Sequence, residues 1–294
     1  AAPEVAAFAA NHPAVELHVW QRDRAEPGEH DFEPGPTEWS EAADVALRAV
    51  APPGALARPD APTRTSPRNR WVLDVIVVEP DRWQVGVHFS GSRAACWPGG
   101  VPPIEAPPHA VSRAYLKMSE ALWWSALPAS RGEQVVELGC APGGASQALL
   151  DAGLDVIGVD PAEIAPALVE HPRFTHIRRR VSETPRSLLE KARWLAADMN
   201  VAPAYTLDAV ESVVTHPGMI VRGMILTLKL PEWQLVEELP TYLGRIQAWG
   251  YRDVRVRQLA FNRQEVCVVA LRSRGQRRVQ RAPGRTSRRR TDAA

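Results

Sequence analysis

One junction in the sequence, residues 135–150, constrains the fold of this chain more than any other feature. The apolar pair Val135–Val136 leads into a glycine-rich turn at residues 137–147, and the apolar run Ala148–Leu150 follows. This order predicts a β-strand, a tight turn and the first turn of a helix. Glycine lets a ligand approach the backbone closely, and a helix start directs free N–H groups toward whatever binds there. The junction therefore predicts a ligand site.

The next strand predicts which ligand binds. It spans Leu154–Val159 and ends at Asp160, where an acid can accept both hydroxyls of a ribose. Pro142 removes a hydrogen-bond donor from the turn, and the Pro-Gly-Gly order departs from the dinucleotide fingerprint. S-adenosylmethionine, which has no pyrophosphate, fits better than a dinucleotide. The residues predicted to bind it are Gly139, Cys140, Ala141, Pro142, Gly143, Gly144, Asp160 and Asp198.

Composition excludes several classes of protein. The 294 residues are enough for about two domains, and 45% hydrophobic residues can build a core. No apolar run approaches the roughly 20 residues that span a bilayer. Three cysteines (Cys96, Cys140, Cys267) form neither a disulfide framework nor a metal-ligand spacing. We expect a cytoplasmic monomer that binds no membrane and no metal.

Positive charge is concentrated at the end of the chain. Residues 271–294 hold nine arginines and one acid, and the rest of the chain carries a net charge of about −7. Arg, Gly, Ser and Pro without apolar residues cannot pack, so residues 273–294 are predicted to be a disordered tail. The tail is expected to attract RNA phosphates. The alternative is a solvated tail that only aids solubility.

Two domains are predicted. Residues 1–100 form a small α+β domain, loosely helical up to residue 50, with a hairpin at Trp71–Val78 and Trp83–Phe89; Trp97–Pro108 is a linker. Strands and helices alternate over 109–272, which predicts an α/β fold with a doubly wound parallel sheet. It ends in an antiparallel hairpin, Asp253–Gln258 with Glu265–Arg272. Its predicted helices include 185–193, with Thr184 as N-cap, and 232–248, kinked at Pro240.

The lysines are few and their positions are informative. Only three occur among 35 basic residues, and two of them, Lys117 and Lys229, lie where catalysis is expected. Lys229 and Asp198 end predicted strands, and Glu265 begins an antiparallel one, so all three should meet at one edge of the sheet, with Lys117 on a nearby helix. A partly buried lysine with a lowered pKa can take the proton of a ribose 2′-OH. The alternatives are ordinary strand-end salt bridges and a lysine that extends its ammonium to solvent.

At this point the sequence resembles a known family. Glu-Leu-Gly-Cys-Ala-Pro-Gly-Gly-Ala-Ser-Gln, residues 137–147, is similar to the S-adenosylmethionine motif of the FtsJ-like RNA ribose 2′-O-methyltransferases. Their Lys-Asp-Lys-Glu tetrad matches Lys117, Asp198, Lys229 and Glu265. Within the family, the sequence is most similar to the bacterial branch that methylates a cytidine ribose of large-subunit rRNA. The segments that carry this similarity are residues 97–102, 109–117 and 158–161. The resemblance covers roughly residues 71–272.

The resemblance implies a class I, Rossmann-like methyltransferase fold preceded by an RNA-binding module of the THUMP kind, here in reduced form. It implies that Lys229 is the base, that Asp198 and Lys117 tune and orient it, and that Glu265 helps to place the ribose. Two features depart from the family. Arginines at 178–180 follow the third strand, where the family has an acid near the adenine, and the arginine-rich tail is additional.

Three other functions compete with RNA methylation. A catalytically silent RNA-binding factor for ribosome assembly could keep the fold, although the tetrad in this sequence is intact. A methyltransferase acting on a protein or a small molecule seldom needs a lysine base paired with two acids. A NAD-dependent dehydrogenase is disfavoured by Pro142 and by the spacing of the glycines.

Overall fold

The computed structural model describes residues 15–60 and 65–276. The chain divides into two compact units. The N-terminal unit extends to Pro108 and includes Leu259–Arg263, whereas the C-terminal unit contains His109–Gln258 and resumes at Gln264. Residues 277–294 of the predicted tail lie outside the described residues. The side chain of Gln276 accepts a hydrogen bond from the Ser273 N–H, 3.1 Å away.

In its described residues, the N-terminal unit contains a three-stranded sheet and one α-helix, besides short 3-10 turns. Its elements are β1 (Glu16–Gln21), α1 (Glu38–Val50), β2 (Trp71–Glu79) and β3 (Arg82–Phe89). Strand β1 pairs parallel to β2, and β2 pairs antiparallel to β3. A capping box begins α1, where the Thr37 hydroxyl accepts from the Ser40 N–H at 3.2 Å. Helix α1 packs on β1 and β2 around Leu17, Leu47, Leu73 and Val75.

One prediction in this unit is wrong. Residues 15–20 lie in a region predicted to be loosely helical, but residues 16–21 form β1. The reason is tertiary, because β1 pairs with β2, more than 50 residues further along the chain. Its apolar residues complete a core that the local sequence does not display.

The C-terminal unit alternates strands and helices as predicted. It contains the following elements: α2 (Ala114–Ser125), β4 (Gln134–Leu138), α3 (Gly144–Asp151), β5 (Asp155–Val159), α4 (Pro166–Val169), β6 (Phe174–Ile177), β7 (Trp194–Ala197), α5 (Pro203–Val214), β8 (Gly223–Lys229), α6 (Leu239–Ala248), β9 (Asp253–Arg257) and β10 (Glu265–Leu271).

The seven strands form one sheet in the order β6-β5-β4-β7-β8-β10-β9. The first five are parallel, and β10 inserts antiparallel between β8 and β9. The predicted α/β fold, with a doubly wound sheet and a closing antiparallel hairpin, is confirmed. Chain order reverses between β4 and β7, and ligands of such sheets bind at this switch point, beyond the carboxyl ends of the strands.

Two predicted helices are wrong in detail. Residues 185–193 contain a single 3-10 turn, Arg186–Leu188, instead of a helix. The Thr184 hydroxyl donates back to the Arg180 carbonyl at 2.9 Å, so Thr184 closes the preceding turn and does not cap a following helix. Residues 232–248 are a 3-10 turn followed by α6, and Pro240 lies in the first turn of α6, where a missing N–H costs nothing.

In the part of the chain that is described, no helix is long and apolar enough to cross a bilayer.

Candidate active site

The four predicted catalytic residues come from four different elements of the C-terminal unit. Lys117 lies on α2, Asp198 directly follows β7, Lys229 ends β8 and Glu265 begins β10. The antiparallel register makes Glu265 the direct pairing partner of Lys229. Strands β7 and β8 are parallel neighbours, so Asp198 and Lys229 leave the sheet at the same edge. The fold therefore brings together residues that are up to 148 positions apart.

Every cation in this tetrad contacts both anions. The Lys117 ammonium is 2.7 Å from Asp198 Oδ2 and 3.2 Å from Glu265 Oε1. The Lys229 ammonium is 3.3 Å from Asp198 Oδ1 and donates a short hydrogen bond to Glu265 Oε2. All four side chains are largely buried, and Lys229 is the most accessible at 22% exposure. Two positive and two negative charges therefore form a closed, neutral ring with one lysine facing solvent.

The charge balance decides the direction of the pKa shifts. Burial by itself raises the pKa of Asp198, but Lys117 and Lys229 outweigh it and hold that pKa below its ordinary value. Burial also lowers the pKa of Lys229, but Asp198 and Glu265 outweigh it and raise that pKa above 10.5. The expected lowering of the pKa of Lys229 is therefore not found in the free protein, where Lys229 is an ammonium. Its two carboxylate neighbours are the physical reason.

The glycine-rich turn after β4 has the predicted strand–turn–helix form. Gly139 and Gly143 have φ of 77° and 121°, a region that glycine adopts at little cost, and the Ala141–Pro142 peptide bond is cis. However, the space beside these glycines is filled by the protein itself. A Cβ at Gly143 would overlap Leu168, and one at Gly144 would overlap Ser112. The glycines are thus required first by packing within the chain.

Asp160 lies at the carboxyl end of β5 and holds the turn in place. Its Oδ2 accepts from the Ala141 N–H at 3.1 Å, and its Oδ1 accepts from the Ala162 N–H at 2.8 Å. Each carboxylate oxygen can accept a second hydrogen bond. Asp160 therefore orients the loop and keeps acceptor capacity for ribose hydroxyls, the role predicted for it.

Helix α3 adds donors to the same place. Its first intrahelical hydrogen bond runs from the Gln147 N–H to the Gly143 carbonyl, so the N–H groups of residues 144–146 precede the helical ladder. The Gln147 side chain accepts from the Val111 N–H at 2.9 Å and donates to the His109 carbonyl at 3.0 Å. A carboxylate, the N–H groups at a helix start and a loop without basic side chains fit a nucleoside that has no pyrophosphate, such as S-adenosylmethionine.

The sequence analysis missed Glu137, the next-to-last residue of β4. It is 1% exposed, and its carboxylate accepts a hydrogen bond from the Ser146 hydroxyl. Burial, opposed by the hydrogen bond from Ser146 and reinforced by the nearby Asp198 and Asp160, raises the pKa of Glu137 to about 8. The only signal in the sequence was an acid inside an apolar strand.

Among the residues described, no group of three or more His, Cys, Asp or Glu side chains could hold a metal ion.

Comparison with known proteins agrees with this geometry. The sequence model of the FtsJ-like methyltransferase family matches residues 110–239. Lys117, Asp198, Lys229 and the whole glycine-rich turn lie inside the matched range, whereas Glu265 lies beyond it.

Curated relatives share one name. This chain is 32% identical over 180 residues to the ribosomal RNA large subunit methyltransferase M of Halorhodospira halophila, covering 60% of this chain and 51% of that protein. It is 29% identical over 213 residues to the protein of that name from Saccharophagus degradans, covering 68% and 59%. The Xylella fastidiosa protein is 33% identical over 186 residues, covering 60% and 52%. This chain spans only about half the length of the curated relatives it matches. Residues 110–239 are nevertheless similar to the FtsJ-like methyltransferases, the family that the sequence resembles.

Proposed function

We propose that this protein methylates the 2′-hydroxyl of a ribose in large-subunit ribosomal RNA, with S-adenosylmethionine as methyl donor and Lys229 as general base. The observation that carries the proposal is the ring of Lys117, Asp198, Lys229 and Glu265. Buried charges are expensive unless they are paired, so a paired ring at a ligand-binding edge favours function over simple stabilisation.

The chemistry explains why a lysine is needed. A ribose 2′-hydroxyl is a poor nucleophile until its proton is removed, and a lysine can accept that proton whereas an arginine cannot. When bound, the cofactor supplies an electrophilic methyl group on a positively charged sulfur. Asp198 and Glu265 orient the Lys229 amine and stabilise the ammonium formed as it takes the proton. Lys117 neutralises the second carboxylate charge.

Lys229 must lose a proton before it can act. Because the pKa of Lys229 is raised in the free protein, the binding of cofactor and RNA has to lower that pKa. A bound cation beside Lys229, together with the loss of water from the site, disfavours the ammonium. We therefore propose that the base forms only after cofactor and RNA are both bound.

The identity of the RNA is inferred from the relatives and from the position of basic residues. The curated relatives are named for large-subunit ribosomal RNA. Arg178 is exposed and follows β6 at the same sheet edge as the tetrad, so residues 178–180 are candidate contacts for RNA phosphates, as are the predicted N-terminal RNA-binding module and the arginine-rich tail. Single-stranded or flipped-out RNA is required, because the reacting ribose has to enter the site. A ribosomal substrate implies action in the cytoplasm.

The test uses methyl-labelled S-adenosylmethionine, purified protein, and both ribosomal RNA and pre-ribosomal particles. Alkaline hydrolysis cannot cleave after a 2′-O-methylated ribose, so label should remain in dinucleotides. Lys229→Ala should lower the rate by roughly 10²- to 10⁴-fold, the usual contribution of a general base. Lys229→Arg should fail equally, because arginine keeps the charge but cannot be deprotonated.

Lys191→Ala is the matched control, since Lys191 is exposed and is the one lysine of the sequence outside the tetrad. It should leave the rate unchanged. Label in mononucleotides would mean methylation of a base and would contradict the proposal. Cofactor binding with no transfer to either substrate would favour the assembly-factor alternative.

A further inference from the structure

In the described residues, the outer strand of the N-terminal sheet, β3, has a second edge that pairs with no strand, and it carries an exposed apolar row. In an antiparallel pair, directly opposed residues share a face, so Val85 and Val87 share the face of their partners Val75 and Leu73. Those partners are fully buried beneath α1. On β3 the same row is accessible, with Val85 at 37%, Val87 at 43% and Phe89 at 48% exposure.

The backbone of these residues points to the open edge. Hydrogen bonding alternates along an antiparallel pair, and Ser90 is hydrogen-bonded inward, its N–H to the Arg70 carbonyl at 2.9 Å. Even-numbered residues of β3 therefore bond to β2, and odd-numbered ones direct their N–H and C=O groups outward. Residues 83–89 of β3 contain no Asp, Glu, Lys or Arg, and in the described part of the chain this edge pairs with no further strand, so it is a template for another strand.

The sequence of β3 is symmetric about Gly86. Residues 83–89 read Trp-Gln-Val-Gly-Val-His-Phe, which is aromatic, polar, valine, glycine, valine, polar and aromatic. Antiparallel pairing of two copies about Gly86 places Val85 opposite Val87 and Trp83 opposite Phe89. It also places Gln84 opposite His88, so no like charges face each other. A shift by one residue would set apolar against polar residues and lose the match.

Gly86 itself fits this arrangement. A Cβ at this position would meet nothing within 4 Å, and Gly86 is absent from the glycines with positive φ, so the fold of a single chain does not require glycine here. In the paired arrangement two Gly86 residues face each other at a non-hydrogen-bonded site, where Cα atoms approach to about 4.5 Å. We propose that β3 pairs with β3 of a second copy to form a twofold-symmetric dimer with a continuous six-stranded sheet, in place of the monomer expected from the sequence.

The first test is the mass of the full chain in solution, measured by sedimentation or light scattering. The dimer should have twice the chain mass of 32.3 kDa. Val85→Glu should yield monomers that keep the circular dichroism of the wild type. Val256→Glu is the matched control, because Val256 is 40% exposed on β9, an edge strand of the other sheet; it should remain dimeric.

The second test reads the register directly. Gly86→Cys should form a disulfide between copies on mild oxidation, since about 4.5 Å between Cα atoms suits a disulfide. Gln84→Cys should not, because two copies of residue 84 would lie four residues, about 13 Å, apart. The native cysteines in the described chain are all buried and should not interfere.

A wild-type protein that stays monomeric and does not cross-link through Gly86→Cys would overturn the proposal. So would a dimer that Val85→Glu leaves intact, or one that Val256→Glu also dissociates. Loss of RNA binding in a monomeric Val85→Glu protein whose wild type is also monomeric would assign the surface to nucleic acid instead.

Discussion

A tetrad in the C-terminal unit and a histidine cluster in the N-terminal unit both bury ionisable side chains, and they behave in opposite ways. In the seven-stranded sheet, the Lys117–Asp198–Lys229–Glu265 tetrad holds two cations against two anions. In the three-stranded sheet, His18, Asp74 and His88 lie together on β1, β2 and β3. In the tetrad, the oppositely charged partners stabilise the charged forms against the effect of burial, whereas burial suppresses the charge of His18.

In the histidine cluster, His88 has hydrogen-bond partners, whereas His18 has none among the described residues. His88 contacts Asp74 through a short hydrogen bond and the Ala95 carbonyl at 2.7 Å. Burial lowers its pKa, but these two acceptors outweigh it and raise that pKa overall. The ring nitrogens of fully buried His18 have no hydrogen-bond partner among the described residues, and the nearest Asp74 oxygen is 3.8 Å away. Burial, then His88 and Arg58, lower the pKa of His18 to about 3.

The comparison teaches that burial alone does not predict which protonation state is stable. The result depends on how many opposite charges or acceptors come within hydrogen-bond distance. In the tetrad, each ammonium group contacts two carboxylates. In the histidine cluster, Asp74 is hydrogen-bonded to His88, and His18 stays neutral.

Breaking the charge balance of the tetrad should have the largest effect. Asp198→Ala leaves two lysines facing one carboxylate, and removing one partner of a buried pair typically costs roughly 3–5 kcal/mol. We expect denaturant titration to show a loss of this size. The double variant Lys117→Met/Asp198→Asn removes one charge of each sign and should be more stable than Asp198→Ala. Equal stability of the two variants would show that charge balance is irrelevant.

Removing the unpartnered imidazole should have a smaller effect, seen mainly in acid. His18 has a lowered pKa, so its contribution to stability is present above the unfolded-state value of 6.5 and is lost as the pH falls toward about 3. Within that window the loss approaches about 1.4 kcal/mol per pH unit. His18→Leu should therefore unfold at lower pH than the wild type. Parallel acid-unfolding curves for both proteins would contradict a buried, neutral His18.

Glu137 provides the most selective effect. Its pKa is raised from 4.5 to about 8, so the stability it contributes is complete below pH 4.5 and is lost as the pH rises through 8. Glu137→Gln keeps an acceptor for the Ser146 hydroxyl but cannot ionise. The melting temperature of the variant should depend less on pH between about 5 and 8 than that of the wild type. An unchanged slope would indicate that Glu137 ionises freely.

Much of the C-terminal unit could be predicted from the sequence because its signals are local. Strand β4 contains Val135 and Val136 and ends directly before the glycine turn, as predicted, since an apolar run stops at that turn. The convergence of Asp198, Lys229 and Glu265 followed from a topological rule, because parallel strands end, and an antiparallel strand begins, at one edge.

What could not be predicted depends on tertiary distances. Strand β1 and the pairing of His18 with Asp74 join positions 56 residues apart, and no local pattern reports that contact. The direction of the pKa shift of Lys229 was missed for the same reason. Partial burial suggests a lowered value, and only the two carboxylates within 3.3 Å reverse it.

The most direct test of this account is to titrate the lysines by NMR. The sequence has only three, so protein grown with ¹³C-labelled lysine should give three side-chain signals, with exposed Lys191 as an internal reference. Lys229 should stay protonated above pH 10.5 in the free protein, and its pKa should fall when S-adenosylmethionine and RNA bind. A Lys229 signal that titrates near neutral pH in the free protein would contradict the charge-balanced tetrad.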